Sequence, residues 1–195
     1  VIIQKKKFKL NEDIPVILFV GKLIKRKNCL FLIDCLLEHI KQNKIYLLIV
    51  GDGPEKEKCE SYINANDITK NCKIYGFQNQ NDLCKYYKIS DLFVIPSLKE
   101  PYGLVVNEAM NFSLPVLSSN EVGSSVDLIE NGVNGYIFDP LDKNDFLMKF
   151  NNLISSHSNF SKFGINSFNK INKQSYEQNV ECIQEIVNEL TNVSK

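Results

Sequence analysis

Six short apolar runs recur along the chain, each followed by a stretch with helical spacing or helix-forming composition. This alternation constrains the fold more than any other feature. The runs cover residues 14–20, 45–50, 72–75, 91–96, 114–118 and 135–138. Leu30, Ile33, Leu37 and Ile40 repeat at helical intervals, and further helices are expected from Glu55 onward, over 81–88, 104–112, about 124–130 and 143–154. Strands this apolar are buried on both faces, and strand–helix alternation then requires a parallel sheet with helices on each side. The fold class expected is α/β, a doubly wound parallel sheet. Tyr176, Val180, Ile183, Val187 and Leu190 mark an amphipathic helix in the tail. With Phe160, Phe163 and Phe168 before it, the last stretch reads as two helices joined at 172–175. The final one either covers the domain's own sheet or docks on something outside this chain.

Composition narrows the class. A chain of 195 residues with 44% hydrophobic and 24% charged content is neither fibrous nor disordered. Its 23 basic and 23 acidic residues give zero net charge, which argues against non-specific nucleic-acid binding. The six cysteines form no Cys-x-x-Cys and mostly sit in apolar runs, so reduced, buried thiols in a cytoplasmic protein are expected. No apolar stretch approaches the ~20 residues of a membrane span. At the start, charges follow the apolar patch of Val1, Ile2 and Ile3, the wrong order for a signal peptide. A chain that opens on Val1 is read as a processed or truncated piece.

In an open parallel sheet, ligands bind beyond the carboxyl ends of the strands, so the strand-to-helix loops are the candidates. The first loop carries Gly21, Lys22, Lys25, Arg26, Lys27 and Asn28, four cations ahead of a helix N-terminus. It reads equally as a diphosphate clamp or a solvated basic turn. The second, Gly51-Asp-Gly-Pro54, lacks the third glycine of a dinucleotide fingerprint and reads as a turn with Pro54 opening a helix. The fourth runs from Ser97 to Met110. Pro101 and Gly103 keep Glu100 outside the helix, and Gly103, Leu104 and Val105 offer amides to a phosphate. Glu108 lies inside that helix among Val105, Val106, Ala109 and Met110. It is therefore expected to be partly buried and to need hydrogen-bond donors such as a ribose diol. The fifth loop, with Gly123, Ser124 and Ser125, is a small polar nest. His39 and His157 lie away from these loops, and no Asp-x-Asp is present to hold a nucleotide-bound cation.

These motifs together resemble the family 4 (group 1) retaining glycosyltransferases of the GT-B fold. Glu100 and Glu108, with seven residues between them, match the family's paired-glutamate signature. Gly21-Lys22-Leu with Lys27-Asn28, Gly51-Asp-Gly-Pro54, Gly76-Phe77, Leu114-Pro-Val116 and Asn131-Gly-Val-Asn-Gly135 follow in the family's order, over roughly residues 14 to 150. The resemblance implies a Rossmann-like, C-terminal, donor-binding domain. Lys22 and Lys27 would contact the donor diphosphate beside Gly21, Glu108 the ribose, and Gly76 and Phe77 the base. Glu100 would be the catalytic-site residue at the transferred sugar, with Gly103, Leu104 and Val105 giving amides to phosphate or sugar. It further implies a UDP- or GDP-linked donor and no metal or other cofactor. Departures are Lys22 for Arg, Tyr102 for Phe, Ser113 for Gly, Gly123-Ser124 for Gly-Gly, and Asp127 for Glu.

The same resemblance divides the chain into residues 1–12 as an inter-domain linker, 13–157 as the nucleotide-sugar-binding domain and 158–195 as C-terminal helices. The last helix would pack toward an N-terminal domain that carries most of the acceptor site and is absent from this chain. A glycan, lipid or small-molecule acceptor is implied, and peripheral association with the inner face of a membrane would run through that other half. Two alternatives stand beside this. One is a stand-alone nucleotide-sugar-binding module or donor subunit that needs a separate acceptor protein. The other is a GT-B nucleotide-sugar epimerase, against which the Glu100/Glu108 pair argues.

Overall fold

A computed structural model describes residues 10–155 and 157–173, together with Lys5 and Phe8. Six strands form one sheet: β1 (Val16–Val20), β2 (Tyr46–Val50), β3 (Cys72–Ile74), β4 (Leu92–Ile95), β5 (Val116–Ser119) and β6 (Gly135–Phe138). All five pairings are parallel, in the order β3-β2-β1-β4-β5-β6. The helices are α1 (Cys29–Lys41), α2 (Lys56–Ala65), α3 (Gln80–Ile89), α4 (Leu104–Asn111), α5 (Ser125–Leu128), α6 (Lys143–Ile154) and α7 (His157–Asn172), with a 3-10 turn at Lys25–Lys27 before α1.

The apolar runs are buried on both sides because alternate residues of each strand feed different layers. Ile17 and Phe19 of β1, with Leu47 and Ile49 of β2, pack under α1, α2 and α6 through Leu32, Ile33, Ile63, Phe146 and Phe150. Val16, Leu18 and Val20, with Leu48 and Val50, face α3 and α4 through Tyr86, Tyr87, Val106 and Met110. Each layer needs the other's sheet face covered, which is why a one-residue slip in any strand would expose an entire row. α7 packs on α4 and α6, with Phe160 and Phe163 buried and Phe168 40% exposed. The amphipathic helix read at 176–190, and Cys182, lie outside the described residues.

Cys29, Cys35, Cys59 and Cys72 are buried and Cys84 is half-buried, all free. Burial raises the Cys35 thiol to about 12, so it stays protonated. Lys5 and Phe8, within the segment read as a linker, are held on the domain. The buried Lys5 ammonium donates to Asp91 at 2.8 Å, and the Phe8 ring meets Tyr75 and Tyr86 edge-on. Asp91 also accepts from the Val16 amide at 2.8 Å, so one carboxylate ties the approach to β1 to the start of β4.

Two expectations need correction. Pro54 does not open α2. Residues 53–56 first close a turn, with Lys56 N–H donating to Gly53 C=O at 3.0 Å, and the helix begins at Lys56 after Glu55. The helix expected over about 124–130 is the single turn Ser125–Leu128, because Ile129 is already extended.

The order of strands has a direct consequence. β1 and β4 are neighbours, while the chain leaves β1 toward β2 and leaves β4 toward β5. The helices after β1 and β4 therefore leave on opposite faces of the sheet, and a crevice opens at the carboxyl edge beside the loops that lead to them. Gly51, just past β2, crosses under the first of these loops. A Cβ there would lie 1.8 Å from the Gly21 carbonyl oxygen, and Gly51 N–H donates to Gly76 C=O at 2.8 Å. We expect Gly51→Ala to cost about 2–4 kcal/mol, read as a lowered urea midpoint with an unchanged slope. A change under 0.5 kcal/mol would contradict this packing.

Candidate functional site

The loop after β1 and the loop after β4 meet over the crevice. Leu98 N–H donates to Arg26 C=O at 2.7 Å, and the Arg26 guanidinium donates to Lys99 C=O at 3.0 Å. Lys27 Nζ forms an ion pair with Glu100 Oε2, and Arg26 Nη1 lies 3.5 Å from the same oxygen. The Lys27 and Glu100 side chains are each only 13% exposed. The Glu100 main chain is pinned by the loop after β5: its amide donates to Glu121 C=O, and its carbonyl accepts from Gly123, both at 2.9 Å. Lys22 is exposed and, among the described residues, has no ion-pair partner.

On the β2 and β3 side of this pair lies an open cleft of about 520 Å³, lined by the loops after β1, β2 and β3 through Gly21, Lys22, Gly51, Phe77 and Gln78, and by Leu83 of α3. A Cβ built at Gly21 would lie 3.9 Å from Lys27 Cδ, so the Lys27 side chain runs along the cleft's edge. Phe77, which lines this cleft, is 80% exposed. Gly76, preceding it, has φ +68 and bridges Gly51.

Gly103 caps α4 with φ +93, and a Cβ there would meet Val122 Cγ1 at 2.8 Å and Glu100 Cγ at 3.4 Å. Only glycine combines that backbone with that proximity. Val106 N–H already donates to Gly103 C=O, which leaves Leu104 and Val105 as first-turn amides without an intrahelical acceptor. No acidic residue occupies this turn itself, and the nearest carboxylate the cap meets is that of Glu100.

Glu108 is half-buried and accepts a 2.8 Å hydrogen bond from the Tyr87 hydroxyl, one of the donors its apolar surroundings require. The Tyr87 ring is fixed by stacking on Phe112 at 5.2 Å. Burial and the Glu108 charge raise the Tyr87 hydroxyl far above the usual tyrosine range, so it remains a donor. Glu108 lines a second cavity of about 350 Å³, which shares Leu83 with the main cleft.

The structure thus brings Gly21, Lys22 and Phe77 into one cleft, joins Lys27 to Glu100 at its edge, and sets Glu108 one cavity away across Leu83. It adds Arg26 as a second cation on Glu100 and Tyr87 as the holder of Glu108. Tyr87 carried no local signal, because its partner is 21 residues away on another helix. His39 is in α1 against Asn151, remote from the cleft. Among the described residues, no group of three or more His, Cys, Asp or Glu side chains is placed to hold a metal ion.

Set beside known proteins, the chain belongs to the Glycosyl transferases group 1 family, whose model matches residues 2–170. An uncharacterised glycosyltransferase of Methanocaldococcus jannaschii, MJ1607, is 34% identical over 126 residues, covering 65% of this chain and 32% of that protein. Two solved structures share the fold at low identity. The C-terminal domain of a group 1 glycosyltransferase, LpcC of Francisella tularensis, has a TM-score of 0.77 at 21% identity, with 88% of this chain and 90% of that one covered. Anabaena HepE, solved with UDP and glucose, has a TM-score of 0.79 at 22% identity and is covered over 51% of its length, against 96% of this chain. The fold is therefore that of one GT-B domain, and the chain spans about a third of the length of the MJ1607 relative.

The Tyr87–Glu108 bond yields a test. Tyr87→Phe should lower stability at pH 7 by about 1 kcal/mol, because the half-buried carboxylate can regain water in part. Folded Tyr87 holds its proton above the unfolded value near 10. Its contribution is thus complete below pH 10 and is lost as pH rises past it. The variant should show a shallower fall in melting temperature above pH 10 than the parent, and equal slopes would contradict the assignment.

Proposed function

We propose that this chain is the donor-binding half of a retaining, metal-independent glycosyltransferase that takes its sugar from a nucleotide-diphosphate donor. The observation that carries this reading is the meeting of Arg26 and Lys27 with Glu100 beside the α4 terminus, next to the cleft that Lys22 lines. In it, Lys22, Arg26 and Lys27 face the diphosphate, and the Leu104 and Val105 amides with Gly103 add fixed dipoles beneath it. Glu108, oriented by Tyr87, accepts from the ribose diol, and Phe77 with the Gly76 backbone borders the base at the exposed end of the cleft.

Departure of a nucleoside diphosphate leaves negative charge on the leaving oxygens. Fixed cations and amides stabilise that charge without rearranging, which is the largest contribution a site of this kind makes. Metal independence rests on that set of donors. Glu100 stands beside the α4 terminus, where the transferred sugar would lie, and acts there on the sugar rather than on the base.

A second, acceptor-binding domain completes the catalyst in this reading, with a glycan, lipid or small-molecule acceptor. Relatives covered over about a third to a half of their length support it. The HepE complex with UDP and glucose supports a UDP-linked donor, with a GDP-linked one as the alternative. A cytoplasmic location, with any membrane contact made through the other domain, completes the proposal. No helix among the described residues is long and apolar enough to cross a membrane.

The test is melting temperature against UDP, GDP and ADP. A nucleotide at 100 times its Kd should add about 2.7 kcal/mol. Glu108→Ala should abolish most of the shift that depends on the ribose. No response to any of the three would overturn the donor-site reading.

A further inference from the structure

Two of the three cations read as the diphosphate clamp already have a carboxylate partner within the chain. Lys27 is paired with Glu100 at the edge of the cleft, both side chains largely removed from water, and Arg26 approaches the same carboxylate oxygen at 3.5 Å. Only Lys22 of the four loop residues singled out as cations both lines the cleft and lacks a partner among the described residues. A carboxylate bound by two cations presents the same chemistry as one end of a diphosphate: oxygen acceptors with negative charge.

We propose that Glu100 is an internal competitor for the diphosphate, so that donor binding is an anion exchange at Lys27 and Arg26. The inference rests on the donor-site reading above and adds a role for Glu100 before chemistry begins. An incoming diphosphate meets Lys22 first, then displaces the Glu100 carboxylate from Lys27. The exchange requires only side-chain motion. The Glu100 backbone is held on both sides by Glu121 and Gly123, and the Lys27 amide is bonded to Ile24 C=O at 2.9 Å. Glu100 already lies against the α4 terminus, since a Cβ at Gly103 would be 3.4 Å from Glu100 Cγ. A released carboxylate therefore stays beside that terminus, where the sugar attached to the diphosphate would lie.

Two consequences follow from mass action. The paired state lowers apparent affinity for the diphosphate by the fraction of molecules whose clamp is free. After transfer, the carboxylate competes for Lys27 again and favours departure of the nucleoside diphosphate. Glu100 therefore opposes ground-state binding of the very group its position serves, and the two effects separate in a binding experiment without turnover.

The experiment is calorimetric titration of the 195-residue chain and of Glu100→Gln with UDP, GDP, inorganic pyrophosphate and uridine. Glu100→Gln should bind the diphosphates about 5–150-fold more tightly than the parent, the usual range for coupling between two bound groups. Uridine affinity should not change, and the gain should disappear when Lys27→Met is added. Glu100→Asp, which keeps the charge but shortens its reach to Lys27, should fall between the two, and it replaces Glu100→Gln should that variant not fold. If the parent binds UDP or GDP while Glu100→Gln binds them equally or less tightly, the competition is wrong and the donor site stands. If neither protein binds any diphosphate, both fall together.

Discussion

Two loops separated by 73 residues meet over the centre of the sheet, and the arrangement of the whole crevice depends on how they are joined. β1 and β4 lie side by side, but their helices leave in opposite directions, so nothing in the sheet itself holds the two loops together. A backbone bond from Leu98 to Arg26, a guanidinium on the Lys99 carbonyl and the Lys27–Glu100 pair do so. The two cationic side chains, unlike the backbone bond, are connections that an anionic ligand can take over. Removing one partner from a largely buried pair leaves the other uncompensated, so each must be matched by something at every stage.

Zero net charge is consistent with this economy of charge. Lys5 is matched by Asp91, Lys27 by Glu100 and Lys143 by Asp34. Among the described residues, Lys22, the amides of Leu104 and Val105, and a helix end with no acidic residue in its first turn are left without such a match beside the crevice.

The layered sheet was legible because burial on both faces leaves continuous apolar runs, and those at 45–50 and 91–96 became β2 and β4 nearly unchanged. Short elements were less legible. α5 is one turn long because Ile129 is extended, and Pro54 sits in a turn that helical composition could not distinguish from a helix start. Glu108 was legible as a half-buried carboxylate from its apolar neighbours, but its donor was not. Tyr87 belongs to another helix and reads there as an ordinary core aromatic. The Lys27–Glu100 pair was hidden for the same reason. Each residue was visible within its own loop, and only the strand order places those loops together.

The central claim is that the crevice above β1 and β4 takes a nucleoside diphosphate, with the phosphates at the first loop and the α4 terminus. Amide chemical-shift mapping of the 15N-labelled chain on addition of UDP or GDP tests it most directly. The account predicts the largest shifts at Gly21, Lys27, Phe77, Gly103, Leu104 and Val105, and little change in α1 beyond its first turn or in α6. Shifts confined to α6 and α7, or none at saturating nucleotide, would contradict it.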